Sequence, residues 1–185
     1  MIIVNNISKA YGEKKVLQGF SYKFETGITC VAGPSGCGKT TLANIIAELV
    51  IPDTGNVMDA GVVSYVFQED RLLKWESSIT NLMLVTKDRQ RAQALLTQAK
   101  LGDVMQKKIK KLSGGMQRRV AICRGLVANY QTLILDEPFK GLDKDTKETI
   151  MDMVKKESEN KVVILITHDE KEINHMSDNV LYLQN

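Results

Sequence analysis

The residues Gly33-Pro34-Ser35-Gly36-Cys37-Gly38-Lys39-Thr40 carry the spacing GxxxxGK[ST], and that spacing has a physical use. Glycines let successive backbone N–H groups turn toward one phosphate, and a helix beginning at the end of the loop adds the partial positive charge of its N-terminus. Lys39 then reaches the outer phosphates of a nucleoside triphosphate as a point charge. The Thr40 hydroxyl suits Mg²⁺, and Thr41 is placed for the α-phosphate. A second constellation is Asp136-Glu137, adjacent acids at the end of an apolar run. Asp136 is suited to the Mg²⁺ shell, while Glu137, pointing the other way, is suited to polarise or deprotonate a water attacking the γ-phosphate. Gln68 and His168 also end apolar runs. Gln68 would bind the metal or position the water, and His168 would donate to the γ-phosphate. Cys37 sits among the loop amides either as a small packing side chain or, if exposed, as a redox-active thiol. His175 occupies no such position and is assigned no function.

These residues need a scaffold that brings distant positions to one edge. The runs GITCVAG, VVSYVFQ, TLILDEP and VVILITH read as buried strands. Between them lie helical patterns, one marked by Leu42, Ile45, Ile46 and Leu49, another running from Asp143 through Ile150, Met153 and Val154. Alternating strand and helix predicts an α/β fold with a mostly parallel central sheet, in which ligands bind beyond the carboxyl ends of the strands. The first stretch alternates like half-exposed antiparallel strands, which predicts a small β-subdomain over about 1–30 and 56–67. Residues 77–129 read as a helical subdomain, with helices at about 78–86, 89–100 and 115–129. The 185 residues thus form a single domain.

Composition excludes several function classes. A net charge of +3 gives no argument for nucleic acid, and the one basic cluster, Lys107, Lys108, Lys110 and Lys111, lacks interleaved aromatics and reads as a solvated face. No apolar run reaches membrane-span length, and the start lacks the order of a secretory signal. The three cysteines follow neither a disulfide nor a zinc pattern, which fits a reducing, cytoplasmic setting.

Leu112-Ser113-Gly114-Gly115-Met116, ahead of an amphipathic helix, resembles the signature motif of ATP-binding-cassette (ABC) ATPases. The remaining motifs follow in that family's order: Tyr11 near the start, the Walker A loop over 33–40, Gln68 as Q-loop, Walker B over 133–137, Gly141-Leu142-Asp143 as D-loop, and His168 as switch histidine. The resemblance implies a P-loop NTPase that hydrolyses ATP with Mg²⁺. It implies that Tyr11 stacks on adenine with Val16 beside it, although a strand-edge aromatic is the other reading of Tyr11. Ser113 with the amides of Gly114 and Gly115 makes a second anion site at a helix N-terminus. With Gln117, that site is expected to close over ATP held by a second subunit in a head-to-tail homodimer. Asp143 would act across that interface or simply cap a helix.

The segment 66–75 and the methionine of the signature are similar to ATPase subunits of bacterial importers for nitrate, sulfonate and taurine. This implies a polytopic membrane permease, a solute-binding protein and a peripheral place on the cytoplasmic face of the membrane. Trp75, Leu72 and Leu73 would line the permease groove or pack in the core. A soluble assembly or repair mechanoenzyme is the alternative, but the paired cassettes or coiled-coil inserts usual there are not visible. Four features depart from the family pattern: a short 52–68 stretch, Lys140-Gly141 in place of a small pair, the order Gln117-Arg118-Arg119, and an end at Asn185 soon after His168, which disfavours a regulatory domain.

Overall fold

The computed structural model describes residues 1–184, in two sheets, six α-helices and two short 3-10 turns. Strands β1 (Ile2–Tyr11) and β2 (Lys14–Phe24) form a hairpin, and β4 (Thr54–Met58) joins β1 on its other side, all antiparallel in the order β2-β1-β4. The second sheet contains β3 (Gly27–Ala32), β5 (Val63–Val66), β6 (Thr132–Asp136), β7 (Val162–Ile166) and β8 (Asn179–Tyr182), ordered β5-β6-β7-β3-β8 with every pairing parallel. β6 and β7 are buried at every position, as strands covered on both faces must be.

The period-two alternation of these strands divides the core. Cys30, Leu133, Leu135, Val163 and Leu165 face one cluster, whereas Val31, Ile134, Ile164 and Ile166 face the other. Helix α1 (Lys39–Ile46) packs with the antiparallel sheet against the second cluster, burying Leu42, Ala43, Ile45 and Ile46. On the opposite face lie α2 (Ser78–Met83), α3 (Arg89–Gln98), α4 (Gly114–Val127), α5 (Lys144–Glu157) and α6 (Glu170–Met176), all with residues in the first cluster. Five of the six helices start at Ser77, Asp88, Ser113, Asp143 and Asp169, each of whose side chains accepts a backbone N–H of the first turn.

The parallel sheet and the alternation of strand and helix agree with the sequence-based expectation. Several bounds do not. Val63–Val66 pairs with β6 and Gly27–Ala32 with β7 and β8, so both leave the antiparallel part to which 56–67 and 1–30 assigned them. The helices expected at 78–86, 89–100 and 115–129 stop sooner, at Met83, Gln98 and Val127. Leu49 lies beyond α1 and is 56% exposed, because the chain has already turned at Glu48, which adopts φ +57°. Among the described residues no helix is long and apolar enough to cross a membrane.

Candidate functional site

Because neighbouring strands of the large sheet run parallel, the residues that follow β3, β5, β6 and β7 emerge at one edge. There lies a cleft of about 420 Å³, lined by Tyr11, Lys14 and Val16, by Ser35, Gly36, Gly38, Lys39, Thr40 and Thr41, and by Gln68, Asp136, Glu137 and the end of β7 at Ile166; His168, just after β7, is outside this lining and reaches it through Glu137. The phosphate loop is shaped by backbone that side chains would forbid. Gly33 has φ +140°, and a Cβ there would lie 2.3 Å from the Leu183 carbonyl oxygen. Lys39 Nζ donates to the carbonyls of Gly33 and Pro34, both at 2.8 Å, which curls the loop around the ammonium. Cys37 is fully buried against Gly33, its Sγ 3.8 Å from Lys39 Nζ, so it packs the loop and lacks the exposure a redox role requires. Burial also makes the other two thiols inert, pushing Cys30 and Cys123 up to about 12.

Across the cleft, Thr40 Oγ1 donates to Asp136 Oδ2 at 3.0 Å, and the Tyr65 hydroxyl approaches the same oxygen at 3.5 Å. Asp136 is only 3% exposed, and that burial holds its carboxyl above the ordinary range against the opposing Thr40 hydrogen bond. Glu137 points elsewhere. Its φ of +45° places it in the left-handed region, and its carboxylate is flanked by His168 Nδ1 at 3.2 Å and Lys140 Nζ at 3.4 Å. His168 is otherwise open to solvent. Gln68 is exposed where it borders the cleft. Tyr11 is half exposed at the rim, with Lys9 Nζ 5.7 Å from its ring centroid, which agrees with an aromatic available for stacking.

The signature residues stand apart. Ser113, Gly114, Gly115 and Gln117 begin α4 and do not line this cleft. Ser113 Oγ accepts from Met116 N at 3.3 Å, a Cβ on Gly114 would meet nothing within 4 Å, and Gly115 neighbours the Gly141 carbonyl of its own chain. The Gln117 amide donates to the Leu112 carbonyl at 2.9 Å. Asp143 caps α5 by accepting from Thr146 N at 3.0 Å, and that backbone hydrogen bond holds its carboxyl below the ordinary range. Trp75 is 69% exposed under the ammonium of Lys110, 3.7 Å from the ring centroid, and Leu73 is 48% exposed. The core-packing reading therefore fails for both, whereas Leu72 does pack against the core.

Lys14 and Tyr65 were not anticipated. Lys14 faces Tyr11 across the β1–β2 hairpin and brings Nζ within 3.7 Å of where a Cβ on Gly36 would lie, adding a cation beside the phosphate loop. The hairpin register, had it been read, places a lysine opposite the aromatic; Tyr65 has no comparable signal.

Comparison with known proteins agrees with this geometry. A family model described as ABC transporter matches residues 17–140. The chain is 36% identical over 191 residues to the aliphatic sulfonates import ATP-binding protein SsuB of Corynebacterium glutamicum, covering 97% of this chain and 79% of that one. It is 35% identical over 202 residues to the taurine import ATP-binding protein TauB of Escherichia coli O157:H7, covering 99% and 79%. The dimeric structure of MJ0796, a bacterial ABC transporter cassette, matches with a TM-score of 0.87 at 29% identity, covering 99% of this chain and 94% of that one. The same cassette in a post-hydrolysis state bound to ADP and Pi matches with a TM-score of 0.88 at 30% identity, covering 100% and 94%. A phosphate loop facing paired acids, a glutamine and a histidine, with a glycine-rich helix start held apart from them, is the arrangement such a cassette needs, and this chain belongs to the ABC transporter family of ATPases.

Proposed function

We propose that the chain is the motor subunit of an importer for small solutes of the sulfonate or taurine kind, hydrolysing Mg²⁺-ATP in a head-to-tail homodimer docked beneath a membrane permease and served by a solute-binding protein. The observation that carries this reading is the division of the site. The cleft gathers the phosphate loop, Gln68, Asp136 and Glu137, with His168 beside it against Glu137, while Ser113, Gly114 and Gly115 offer a second set of anion donors that does not line it. Two such chains in opposed orientation complete each other.

Within one cleft the roles follow from position. Tyr11, with Val16 beside it, receives the adenine; the amides of residues 35–39, Lys39 and Thr41 take the phosphates. Glu137 accepts the proton of the attacking water, and His168, within hydrogen-bond reach of that carboxylate, orients it and donates toward the γ-phosphate. Gln68 closes the water's side of the cleft. Thr40 and Asp136 fit Mg²⁺, being hard oxygen donors 3.0 Å apart, and a site with so few protein ligands suits an ion that takes the rest from phosphates and water. When bound, Mg²⁺ neutralises charge on the β- and γ-phosphates. Exposed Trp75 and Leu73 present an apolar surface to the permease, which supports a peripheral place on the membrane.

Replacing Glu137 with Gln tests the chemistry. The variant is expected to keep ATP affinity and to lose at least ~10²-fold in turnover, the scale of a general base. In sedimentation it is expected to form a stable dimer with ATP that Lys39→Ala, unable to bind the phosphates, does not form. Wild-type turnover in Glu137→Gln removes the base assignment.

A further inference from the structure

Arg118 projects from the second turn of α4 into the edge of the sheet and is 5% exposed. A guanidinium presents five N–H donors in one rigid plane, and here oxygen meets that plane on every side. Nη2 donates to the carbonyls of Asp136 and Glu137, both at 3.0 Å, and Nε donates to Pro138 O at 2.7 Å. On the far side Nη1 donates to Phe67 O at 2.6 Å and pairs with Asp70 Oδ1 at 3.1 Å, with Gln68 O at 3.4 Å.

Successive carbonyls of an extended strand point in alternate directions. Those of residues 136–138 converge on one group, and Glu137, the middle residue, has φ +45°, a conformation unfavourable for any residue with a Cβ. Without a cation to receive them, these carbonyls would be crowded and in part buried, that of Glu137 keeping a long bond from Lys140 N at 3.4 Å. The same turn sends the Glu137 side chain the opposite way, toward His168 and the cleft. Arg124, further along α4, also holds backbone, donating to Asp70 O and Arg71 O, but it touches nothing at 136–138.

We propose that Arg118 is a positioning residue for hydrolysis: it holds the Glu137 backbone in the left-handed turn that aims the carboxylate into the cleft, with its Nη1 contacts to Phe67 O and Asp70 anchoring the guanidinium. This rests on Glu137 acting as the base. Arg118 touches no reacting atom and acts through the backbone of residues 136–138.

The test is a double-mutant cycle between Arg118 and Glu137, read as kcat and KM for ATP on the intact chain. Arg118→Met, similar in volume but without donors, is expected to lower kcat at least ~10-fold while KM stays within ~2-fold, the pattern of a loss confined to the transition state. Arg118→Lys, which keeps the charge but reaches fewer carbonyls, is expected to fall between Arg118→Met and wild type. In the Glu137→Gln background Arg118→Met is expected to lower the residual turnover by less than ~2-fold, because the group it positions is already gone. A full, multiplicative loss in that background overturns the proposal, as does a rise in KM at constant kcat. Arg124→Met, with the same loss of helix anchoring, is expected to show the multiplicative pattern if it loses activity at all. Thermal melting identifies a variant that fails to fold, and Arg118→Lys then carries the cycle. If Glu137→Gln alone keeps wild-type turnover, the base assignment has failed and the proposal falls with it, an outcome distinct from multiplicative loss.

Discussion

In the proposed Mg²⁺ shell Asp136 would meet two opposed demands, since a carboxylate that holds a divalent cation must be charged, yet it lies 3% exposed at the end of a buried strand. Burial is the first cause of its raised titration and the neighbouring Glu137 charge adds to it, against the hydrogen bonds from Thr40 and Tyr65 and the attraction of Arg118. A carboxyl that binds its proton more tightly folded than unfolded makes the folded state lose stability as pH rises from the unfolded value through the folded one. Asp136→Asn keeps the acceptor for Thr40 but removes the charge. It is expected to melt above wild type at pH 7 without nucleotide, with the gain shrinking toward pH ~4, where even an ordinary Asp takes up its proton. With Mg²⁺-ATP present the order is expected to reverse, because the wild type, with both proposed metal ligands, gains more from binding. Scanning fluorimetry at the two pH values decides it; an Asn variant that melts lower at both contradicts the argument.

Helix α4 carries the signature at its start and Arg118 within it, and its seat on β5 depends on Gly125, where a Cβ would lie 2.4 Å from Val66 Cγ2 and where the carbonyl accepts from Ser64 Oγ at 2.9 Å. Gly125→Ala is therefore expected to destabilise the protein by about 1–3 kcal/mol, the usual range for overpacking. Adding Val66→Ala, which vacates the contested space, is expected to recover part of the loss in a denaturant titration; no recovery means the helix is seated by something else. Strands β3, β5, β6 and β7 were legible because each is a continuous apolar run, whereas β8, exposed at three of its four positions, was not read from the sequence. Likewise, β4 is exposed at four of its five positions and has no burial pattern to read, whereas GITCVA is buried at all but its first and so belongs to the parallel sheet. The cleft was legible wherever its residues fall in motifs with mechanistic spacing. Arg118 was not, since all but one of its acceptors are backbone carbonyls, which every residue possesses and no sequence pattern marks.

For the whole molecule, the proposed pairing of two chains and their proposed attachment to a permease would use surfaces the single chain leaves uncovered. Trp75 is the sole tryptophan and is 69% exposed. Its fluorescence is expected to shift to shorter wavelength when the permease is added and to remain unchanged when ATP alone is added. Trp75→Ala is expected to keep the ATPase activity of the isolated subunit while losing most of the stimulation by the permease in membrane vesicles; full stimulation places the docking face elsewhere. The pairing of β3 with β8 has a further consequence. Ile28 N donates to Asp178 Oδ2 across 150 residues of chain, β3 pairs with β8, and Gly33 packs against the Leu183 carbonyl. On the ribosome, at roughly 5–20 residues per second, the phosphate loop emerges well before the strand that braces it. A nascent chain therefore carries the motif before the residue that braces it, Leu183, has been added.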